Sequence, residues 1–408
     1  MSKLSGTRDI VLPRQTRYAK AIMADSSKSP VAFNLPSLLG RERDYIGEVL
    51  GGTHASGNGP FTARAQNQLR ELLQGGHALL TTSCSTALEM ATILAKVGPG
   101  DEVILPSYTF TSTANAIVLR GATPVFVDIR RDTLNLDESR VEAAITPRTK
   151  AIMVVHYAGV GCEMDAIASI ASRHGLTVIE DAAQALCATW KGEPLGRQGN
   201  LAAFSFHETK NIIAGEGGAL IVNDESLVDR AEIVWEKGTN RLQFKRGMVS
   251  KYNWVDIGGS YLPGELTAAF LLAQLEKAAE ATRVRLELWR RYAEGLAVLE
   301  EEGLCVLPHP PPHCGHNGHI FYLLAPSAEL RDAWLRALNA QGVNAVSHYV
   351  PLHSAPAGLR FGRVEGPLAV TDDIASRLIR LPLHMRLGKT EQEHVIDMTR
   401  RVACSNIR

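Results

Sequence analysis

Short apolar runs alternate with stretches of helical periodicity along the chain between about residue 76 and residue 225. The runs have the length of buried strands, and the stretches between them repeat apolar side chains every three or four positions. The predicted strands are 78–81, 102–105, 124–127, 151–155, 177–180, 202–206 and 219–222, and the predicted helices are 86–97, 111–120, 137–145 and 164–174. This alternation predicts an α/β domain with a largely parallel sheet.

The C-terminal part of the chain has a different pattern. Helical periodicity from Pro263 to about Glu302 predicts a long helix that joins two lobes, and the proline-rich stretch 308–318 then interrupts regular structure. The elements predicted beyond it are strand 319–325, helix 327–341, strand 343–348 and helix 371–379. They indicate a smaller α+β lobe.

Three segments follow from these patterns. We predict a polar N-terminal extension at 1–32, a large domain at 33–285 and a small C-terminal domain at 286–408. The start of the large span is expected to pack with the small lobe. With 408 residues and 45% hydrophobic content, the chain is long enough to bury a sizeable core.

Charge and cysteine content exclude several classes of protein. The 43 basic and 43 acidic residues cancel, so no basic field favours nucleic acid or an anionic membrane. No apolar run reaches the roughly 18 residues of a membrane-spanning helix. None of the six cysteines forms a Cys-x-x-Cys pair, which favours reduced thiols and a cytoplasmic protein.

Asp181 and Lys210 are the candidate catalytic residues, because each follows a predicted strand. Asp181 comes directly after 177–180, and Lys210 lies between 202–206 and the glycine-rich segment 214–218. Ligands in such sheets bind outside the carboxyl ends of the strands. A lysine and a carboxylate there suit pyridoxal phosphate: the lysine forms a Schiff base, and the carboxylate keeps the pyridine nitrogen protonated. The ordinary alternatives are a helix cap and a surface lysine.

Other residues near these strand ends are candidates for holding the same cofactor. Helix N-termini favour phosphate, so Ser85 is a candidate ligand, although it fits the role of a helix cap equally well. Ser205 is a second candidate donor, Gln184 is placed to reach the phenolic oxygen, and Phe110 is an aromatic that either stacks on the ring or joins the core. His207 is expected to pack or to support the site rather than to catalyse.

Two further motifs carry no site prediction. The histidines and cysteine between residues 309 and 319 have a spacing that fits no standard zinc pattern, so no metal is predicted. The glycines between Gly215 and Gly218 match neither a dinucleotide-binding pattern nor a phosphate-binding loop of the Walker type.

With these residues identified, the chain resembles the DegT family of nucleotide-sugar aminotransferases from about Phe33 to Arg386. The shared stretches are VVHYAGVGCEMD at 154–165, EDAAQA at 180–185, SFHETKN at 205–211, GEGGA at 215–219, DIGGSYLPGELTAAFLLAQLE at 256–276, NGHIFY at 317–322 and SHYVPLHSAPAG at 347–358. The resemblance implies the pyridoxal-phosphate-dependent transferase fold type I, in which a large domain with a mostly parallel mixed sheet carries a smaller α+β C-terminal domain.

The resemblance also implies roles for individual residues. Lys210 would carry the Schiff base, Asp181 would contact the pyridine nitrogen, Gln184 the phenolic oxygen, and Phe110 the ring face. The implied phosphate ligands are Ser85, the backbone of Thr86, Ser205 and Asn253, the last reaching into the neighbouring subunit of a homodimer with shared sites. His319, His348 and Tyr349 are candidate substrate residues. One departure is Cys84-Ser85, where many family members carry Gly-Thr; serine keeps the hydroxyl.

The implied reaction moves an amino group from L-glutamate to dTDP-4-dehydro-6-deoxy-D-glucose and gives dTDP-4-amino-4,6-dideoxy-D-galactose, a step of polysaccharide or antigen biosynthesis. Lys210 would move the proton in both half-reactions. Three alternatives stay open: another nucleotide keto sugar aminated at C3 or C4, a sugar dehydratase, and a non-catalytic sugar-binding or regulatory protein. Lys210 argues against the dehydratase, because histidine takes its place in such enzymes.

Overall fold

The computed structural model describes residues 30–405. Residues 1–29, most of the predicted N-terminal extension, lie outside the described part. The strands are β1 His77–Thr81, β2 Glu102–Pro106, β3 Thr123–Val127, β4 Thr149–Val155, β5 Thr177–Asp181, β6 Thr189–Trp190, β7 Glu193–Pro194, β8 Leu201–Ser205, β9 Gly218–Val222, β10 Cys314–Gly315, β11 Tyr322–Leu324, β12 Arg363–Val364 and β13 Leu378–Arg380. The α-helices are α1 Glu42–Gly51, α2 Pro60–Leu72, α3 Cys84–Leu94, α4 Thr111–Val118, α5 Val141–Ala144, α6 Met164–His174, α7 Val228–Trp235, α8 Arg241–Lys245, α9 Glu265–Leu275, α10 Ala278–Glu301, α11 Ala328–Ala340, α12 Pro356–Phe361, α13 Ala369–Arg377 and α14 Lys389–Ser405.

Eight strands form one mixed sheet in the order β1-β9-β8-β5-β4-β2-β3-β12. Six strands, β8, β5, β4, β2, β3 and β12, run parallel to one another. Strand β9 is antiparallel to both β8 and β1. The predicted α/β class with a mostly parallel mixed sheet is confirmed, and the parallel arrangement brings the carboxyl ends of β4, β5 and β8 to one edge.

Helices cover both faces of this sheet. Along β2, Val103 and Leu105 belong to the hydrophobic cluster that contains α3, α4 and α7, whereas Ile104 belongs to the cluster that contains α2, α6 and α9. Every residue of β2 is buried. Strands covered on both faces become continuous apolar runs, which explains why the sequence showed runs of apolar residues rather than strict alternation.

Two predicted helices differ from the structure. The segment 137–145 forms a single 3-10 turn at Glu138–Arg140 followed by the short α5. The helical pattern from 263 to 302 divides into α9 and α10. Helix α9 is buried over most of its length within the large cluster, whereas α10 places one apolar side against the C-terminal lobe. The two helices face different cores, so the chain breaks between them.

The C-terminal lobe has its own apolar cluster, built from α10, β11, α11, β13 and α14. The predicted helix 371–379 is wrong at its end: α13 stops at Arg377, and Leu378 and Ile379 pair with Leu324 and Leu323 in an antiparallel ladder. Both side chains are fully buried there, so burial in the lobe core decides against one more helical turn.

The predicted strand 343–348 is also wrong. The segment makes only isolated bridges, one between Val343 and Val31 and one between Val346 and Arg380. It contacts two different partners and forms a ladder with neither. The first bridge brings Val31 into the apolar cluster of the C-terminal lobe. The division at residues 285 and 286 stays a prediction and falls inside α10.

No helix within residues 30–405 combines the length and the apolar character needed to cross a membrane.

Candidate active site

A cavity of about 490 Å³ opens at the carboxyl edge of the sheet. Its floor includes Val155, Asp181 and Ser205, the last residues of β4, β5 and β8. The start of α3 and the turn before α4 form one side, and residues of the C-terminal lobe form the other. A concave site at this edge is the place where open α/β sheets bind ligands.

Most of the predicted site residues line this one cavity. They are Ser85, Phe110, Asp181, Gln184, Ser205, Lys210, His319, His348 and Tyr349. Phe110 keeps 57% of its surface exposed, so it is not a core residue. His207 lines the cavity as well, and its Nδ1 lies 2.9 Å from Thr209 Oγ1.

Asp181 is buried and held in place by two hydrogen bonds. Thr113 Oγ1 donates to Oδ2 over 2.8 Å, and the Ala183 N–H donates to Oδ1 over 3.2 Å. Burial raises the pKa of the Asp181 carboxyl, while Thr113, the Ala183 N–H and Lys210 oppose the rise. A carboxylate in this position can still accept a hydrogen bond from a donor inside the cavity.

Lys210 follows β8 at the same cavity wall. Burial lowers the pKa of its amine, and Asp181 acts in the opposite direction. Within residues 30–405, no hydrogen-bond acceptor or ion-pair partner holds the amine. A lowered pKa makes it easier to form the neutral amine, which nucleophilic attack and proton transfer both require.

Thr113→Val is expected to move the acid limb of the activity profile upward by about one pH unit. The Thr113 hydrogen bond favours the charged carboxylate, so its loss raises the pKa of Asp181 and protonates it at higher pH. The measurement is kcat/KM against pH. Thr92→Val is the matched control, because the hydroxyl of buried Thr92 donates, within the described part of the chain, only to the carbonyls of Glu89 and Ala116. An unchanged acid limb in Thr113→Val would contradict this role.

The start of α3 forms a second polar wall. Ser83 is the N-cap: its Oγ accepts from the Thr86 N–H, and Thr86 Oγ1 accepts from the Ser83 N–H. The interpretation of Ser85 as the cap is therefore wrong, since the helix begins at Cys84 and its cap is Ser83, two positions earlier. Ser85 Oγ instead faces the cavity, 2.6 Å from Ser112 Oγ. A side chain on Gly218 would clash with the Ser83 backbone, so glycine lets β9 approach this turn closely.

Ser85→Ala is expected to weaken phosphate-cofactor binding about tenfold, because one hydrogen bond to a charged group is lost. Ser83→Ala is the matched comparison and is expected to lower the free energy of unfolding by ~1 kcal/mol, because it removes a helix cap. Titration of the apoprotein with the cofactor and chemical denaturation separate the two effects. Equal cofactor affinity in Ser85→Ala and the unaltered protein would rule out the phosphate role.

Gln184 has its amide orientation fixed from two sides. Its Oε1 accepts from the Ala158 N–H over 2.7 Å, and its Nε2 donates to Tyr349 Oη over 2.9 Å. Tyr349 also stacks on His348, whose Nδ1 lies 2.7 Å from Tyr157 Oη. Gln184 and two of the three predicted substrate residues therefore belong to one connected group.

His319 is connected to the residue after Lys210. Asn211 Nδ2 donates to the Asn317 carbonyl over 3.0 Å, so its Oδ1 is the acceptor that faces His319 Nδ1 over 2.9 Å. This arrangement places the proton of His319 on Nδ1. Burial lowers the pKa of His319 well below its usual value, and Lys210 adds to the effect, so the ring is neutral.

Two predicted residues do not line the cavity in this chain. The Thr86 N–H is already engaged by Ser83, whereas within residues 30–405 no acceptor holds the N–H groups of Cys84 and Ser85. Asn253 lies on an exposed segment, where its N–H donates to Asn240 Oδ1. The structure therefore brings neither the Thr86 amide nor Asn253 to the site formed by one chain.

Several residues of the site were missed by the sequence patterns. Ser112 lines the cavity, whereas Thr113 is buried behind it and contacts Asp181; both lie in the first turn of α4 and resemble ordinary helix-start residues. Phe33 and Arg380 come from opposite ends of the chain and meet at the cavity, with the Arg380 guanidinium 4.7 Å from the centre of the Phe33 ring. No local signal marks them, because only the packing of the lobes brings them together.

Two histidines of the stretch 309–319 contact different carboxylates. His309 pairs with Glu300 and His313 with Glu163. Within residues 30–405, no group of three or more histidine, cysteine, aspartate or glutamate side chains is arranged to hold a metal.

The cavity residues fit pyridoxal phosphate at both of its charged ends. The N–H groups of Cys84 and Ser85 at the start of α3, with the hydroxyls of Ser85 and Ser205, suit a phosphate. The buried Asp181 carboxylate suits a protonated ring nitrogen, and the unpaired amine of Lys210 suits an aldehyde.

Comparisons with known proteins agree with this geometry. The sequence model of the DegT/DnrJ/EryC1/StrS aminotransferase family matches residues 37–400. GDP-perosamine synthase of Caulobacter vibrioides is 35% identical over 92% of this chain and 98% of its own. The spore coat polysaccharide biosynthesis protein SpsC of Bacillus subtilis is 34% identical over 90% of this chain and 96% of its own.

Solved structures show the same fold. The aminotransferase TlmJ from Streptoalloteichus hindustanus superposes with a TM-score of 0.85 at 30% identity, covering 92% of this chain and all of TlmJ. DesV of S. venezuelae superposes with a TM-score of 0.82 at 32% identity, covering 92% of this chain and 99% of DesV.

Proposed function

Because this chain belongs to the DegT/DnrJ/EryC1/StrS aminotransferase family, we propose that it transfers the amino group of L-glutamate to carbon 4 of dTDP-4-dehydro-6-deoxy-D-glucose. Membership of this family shows that the chain is a sugar aminotransferase that uses pyridoxal phosphate. The observation that carries the catalytic part is the meeting of Asp181 and Lys210 in one cavity beside the start of α3. Support for the dTDP-4-keto sugar comes from the resemblance of the sequence stretches.

The chain's own residues divide the catalytic work. Bound pyridoxal phosphate supplies an electron-withdrawing ring that accepts the electron pair left when a proton leaves the reacting carbon. Lys210 Nζ removes that proton and returns one to the adjacent position, first as base and then as acid. Asp181 keeps the ring nitrogen protonated, and Thr113 holds the Asp181 carboxylate in place. Phe110 covers the ring face, and Gln184 reaches the phenolic oxygen.

The phosphate end is held by the start of α3 and by Ser205. The N–H groups of Cys84 and Ser85 and the Ser85 hydroxyl would donate to it, in place of the Thr86 N–H, which donates to the helix cap Ser83. The paired histidine and tyrosine, His348 and Tyr349, face the substrate from the C-terminal lobe, as does the neutral ring of His319. These three side chains suit the hydroxyl groups of a sugar, because each can donate or accept a hydrogen bond.

A second copy of the chain completes the site in this proposal. The segment that carries Asn253 exposes large apolar side chains, among them Trp254 with 80% of its surface accessible. A surface of this kind favours association. A homodimer would cover it and would bring Asn253 of the partner to the phosphate. Light scattering is expected to give twice the mass of one chain, and a monomer at micromolar concentration would contradict the shared site.

Competing substrates test the proposed reaction. The purified enzyme is incubated with L-glutamate and one of three acceptors: a dTDP-4-keto sugar, a dTDP-3-keto sugar or a GDP-4-keto sugar. Mass spectrometry and NMR identify the amino sugar, and 2-oxoglutarate release gives the rate. We expect the highest kcat/KM with dTDP-4-dehydro-6-deoxy-D-glucose and the galactose configuration at C4 of the product. Preference for the GDP sugar would instead favour the reaction named for the Caulobacter relative.

The reaction is expected in the cytoplasm, where nucleotide sugars and reduced thiols coexist. The sulfur atoms of the chain fit this assignment. All six cysteines are free, and burial raises the pKa of Cys84 at the cavity wall, so it stays a neutral thiol.

A further inference from the structure

We infer that Arg380 binds the α-carboxylate of the amino-acid donor. The inference rests on the proposed function, because it concerns the amino acid from which the amino group is taken. It adds a substrate subsite on the C-terminal lobe, at the end of β13, to a site whose other polar walls hold the cofactor.

The Arg380 guanidinium faces the cavity without an anionic partner. Within residues 30–405 it makes no ion pair and no side-chain hydrogen bond, and its Nε is enclosed and unpartnered. Its Cζ lies 4.7 Å from the centre of the Phe33 ring, which holds the planar group from one side. An enclosed charge without a partner is costly, so the position implies an anion that arrives with the substrate.

The surroundings of Arg380 supply no such anion. Burial lowers the pKa of His348 and of His319, so both rings are neutral. Burial likewise raises the pKa of Tyr349 and of Tyr157, so both phenols keep their protons. Arg380 is thus a cation without an anionic partner on this side of the cavity among the described residues, and its field attracts a negative group.

The position of Arg380 relative to Lys210 indicates which anion binds there. Arg380 lies close enough to Lys210 to help lower the pKa of its amine. In an amino acid, the α-carboxylate is attached to the same carbon whose proton Lys210 removes, so it must lie beside Lys210. In a nucleotide sugar aminated at C4, the diphosphate is attached across the sugar ring. The cofactor phosphate belongs to the start of α3. Only the donor carboxylate combines negative charge with closeness to Lys210.

The guanidinium of Arg380 and the α-carboxylate of the donor are chemically complementary. A guanidinium presents parallel N–H donors that fit both oxygens of a carboxylate, and this bidentate contact is strong and specific. The acceptor sugar carries no charge at its reacting end. Loss of Arg380 is therefore expected to affect the first half-reaction far more than the second.

The test compares the two half-reactions in the holoenzyme with Arg380→Met. Glutamate is added without a sugar, and the change in the cofactor absorbance band gives a dissociation constant. The dissociation constant of glutamate is expected to rise about 100-fold in Arg380→Met. The reverse half-reaction with the amino-sugar product is expected to change less than about fivefold, because no carboxylate takes part. Arg360→Met, which removes an exposed arginine of α12, is the matched control and is expected to change neither constant.

A donor that lacks the α-carboxylate provides a second test. 4-Aminobutyrate is glutamate without its α-carboxylate. The unaltered enzyme is expected to prefer glutamate strongly, and Arg380→Met is expected to lose most of that preference. An unchanged preference, or a weakened sugar half-reaction with normal glutamate binding, would overturn the inference; the latter would assign Arg380 to the sugar nucleotide.

Folding and the proposed function are checked separately. The cofactor band and the thermal transition show whether Arg380→Met folds, and Arg380→Lys, which keeps the charge but not the paired donors, serves if it does not. Arg380→Lys is expected to bind glutamate more weakly than the unaltered enzyme, and equal binding would overturn the inference. If the unaltered enzyme responds to neither glutamate nor the amino sugar, the proposed function fails and the inference fails with it. A response to the amino sugar but not to glutamate contradicts the assignment of the donor.

Discussion

Lys210→Ala is expected to reduce amino transfer by about 10⁴-fold or more, because both the covalent attachment and the proton transfer depend on one amine. The structure places that amine at the cavity wall, with Asp181 close enough to influence its pKa. The measurement is single-turnover kinetics with glutamate, together with borohydride reduction of the holoenzyme and peptide mapping. Reduction is expected to label the peptide that contains Lys210 in the unaltered enzyme and nothing in the variant.

The matched control is Lys191→Ala. Lys191 is exposed, pairs with Asp165 and lies over the Trp190 ring. Its loss is expected to leave the rate and the labelled peptide unchanged. Partial rescue of Lys210→Ala by a small added amine would show that the lost function is proton transfer and not folding. Normal turnover in Lys210→Ala, or a label on another peptide, would remove Lys210 from its role.

Asp181→Asn is expected to lower kcat by about 10² to 10³-fold. The amide keeps the size of the side chain but loses the negative charge that holds the ring nitrogen protonated. Because the asparagine oxygen can still accept from the Ala183 N–H and its amide nitrogen can donate to Thr113 Oγ1, the fold is expected to remain intact. The measurements are kcat and the position of the cofactor absorbance band, which reports the protonation state of the ring system.

Asp165→Asn is the control for this substitution, since Asp165 is exposed and, among the residues that the structure describes, its charge pairs only with Lys191. Its kcat is expected to match that of the unaltered enzyme. The predicted role of Asp181 would be wrong if Asp181→Asn kept kcat within about threefold, because an electrostatic contribution of the expected size would then be absent.

The strand pattern correctly located the edge of the sheet at which the cavity opens. Asp181 and Lys210 are predicted there because each follows an apolar run of strand length. The structure confirms that β5 ends at Asp181 and that β8 precedes Lys210. A parallel sheet collects its carboxyl ends at one edge, so local sequence was sufficient to place two residues that lie far apart in the chain.

The start of α3 shows where local sequence was insufficient. Ser83, Ser85 and Thr86 are all hydroxyl residues, and each fits a helix cap by composition. The cap is Ser83, and this difference of two positions turns Ser85 toward the cavity and uses the Thr86 N–H inside the turn. Which hydroxyl faces the ligand depends on the exact start of the helix, and helix starts are poorly defined by pattern.

The sequence by itself determined the parallel sheet and the sheet edge at which Asp181 and Lys210 meet, because burial on both faces produces apolar runs that can be recognised locally. Tertiary structure alone decided that the chain at 343–348 forms bridges instead of a strand, that 378–380 leaves its helix to pair with β11, and that Arg380 reaches the cavity beside Phe33. The reason is that these features depend on contacts between segments distant in the chain, and short-range periodicity holds no information about which segments meet.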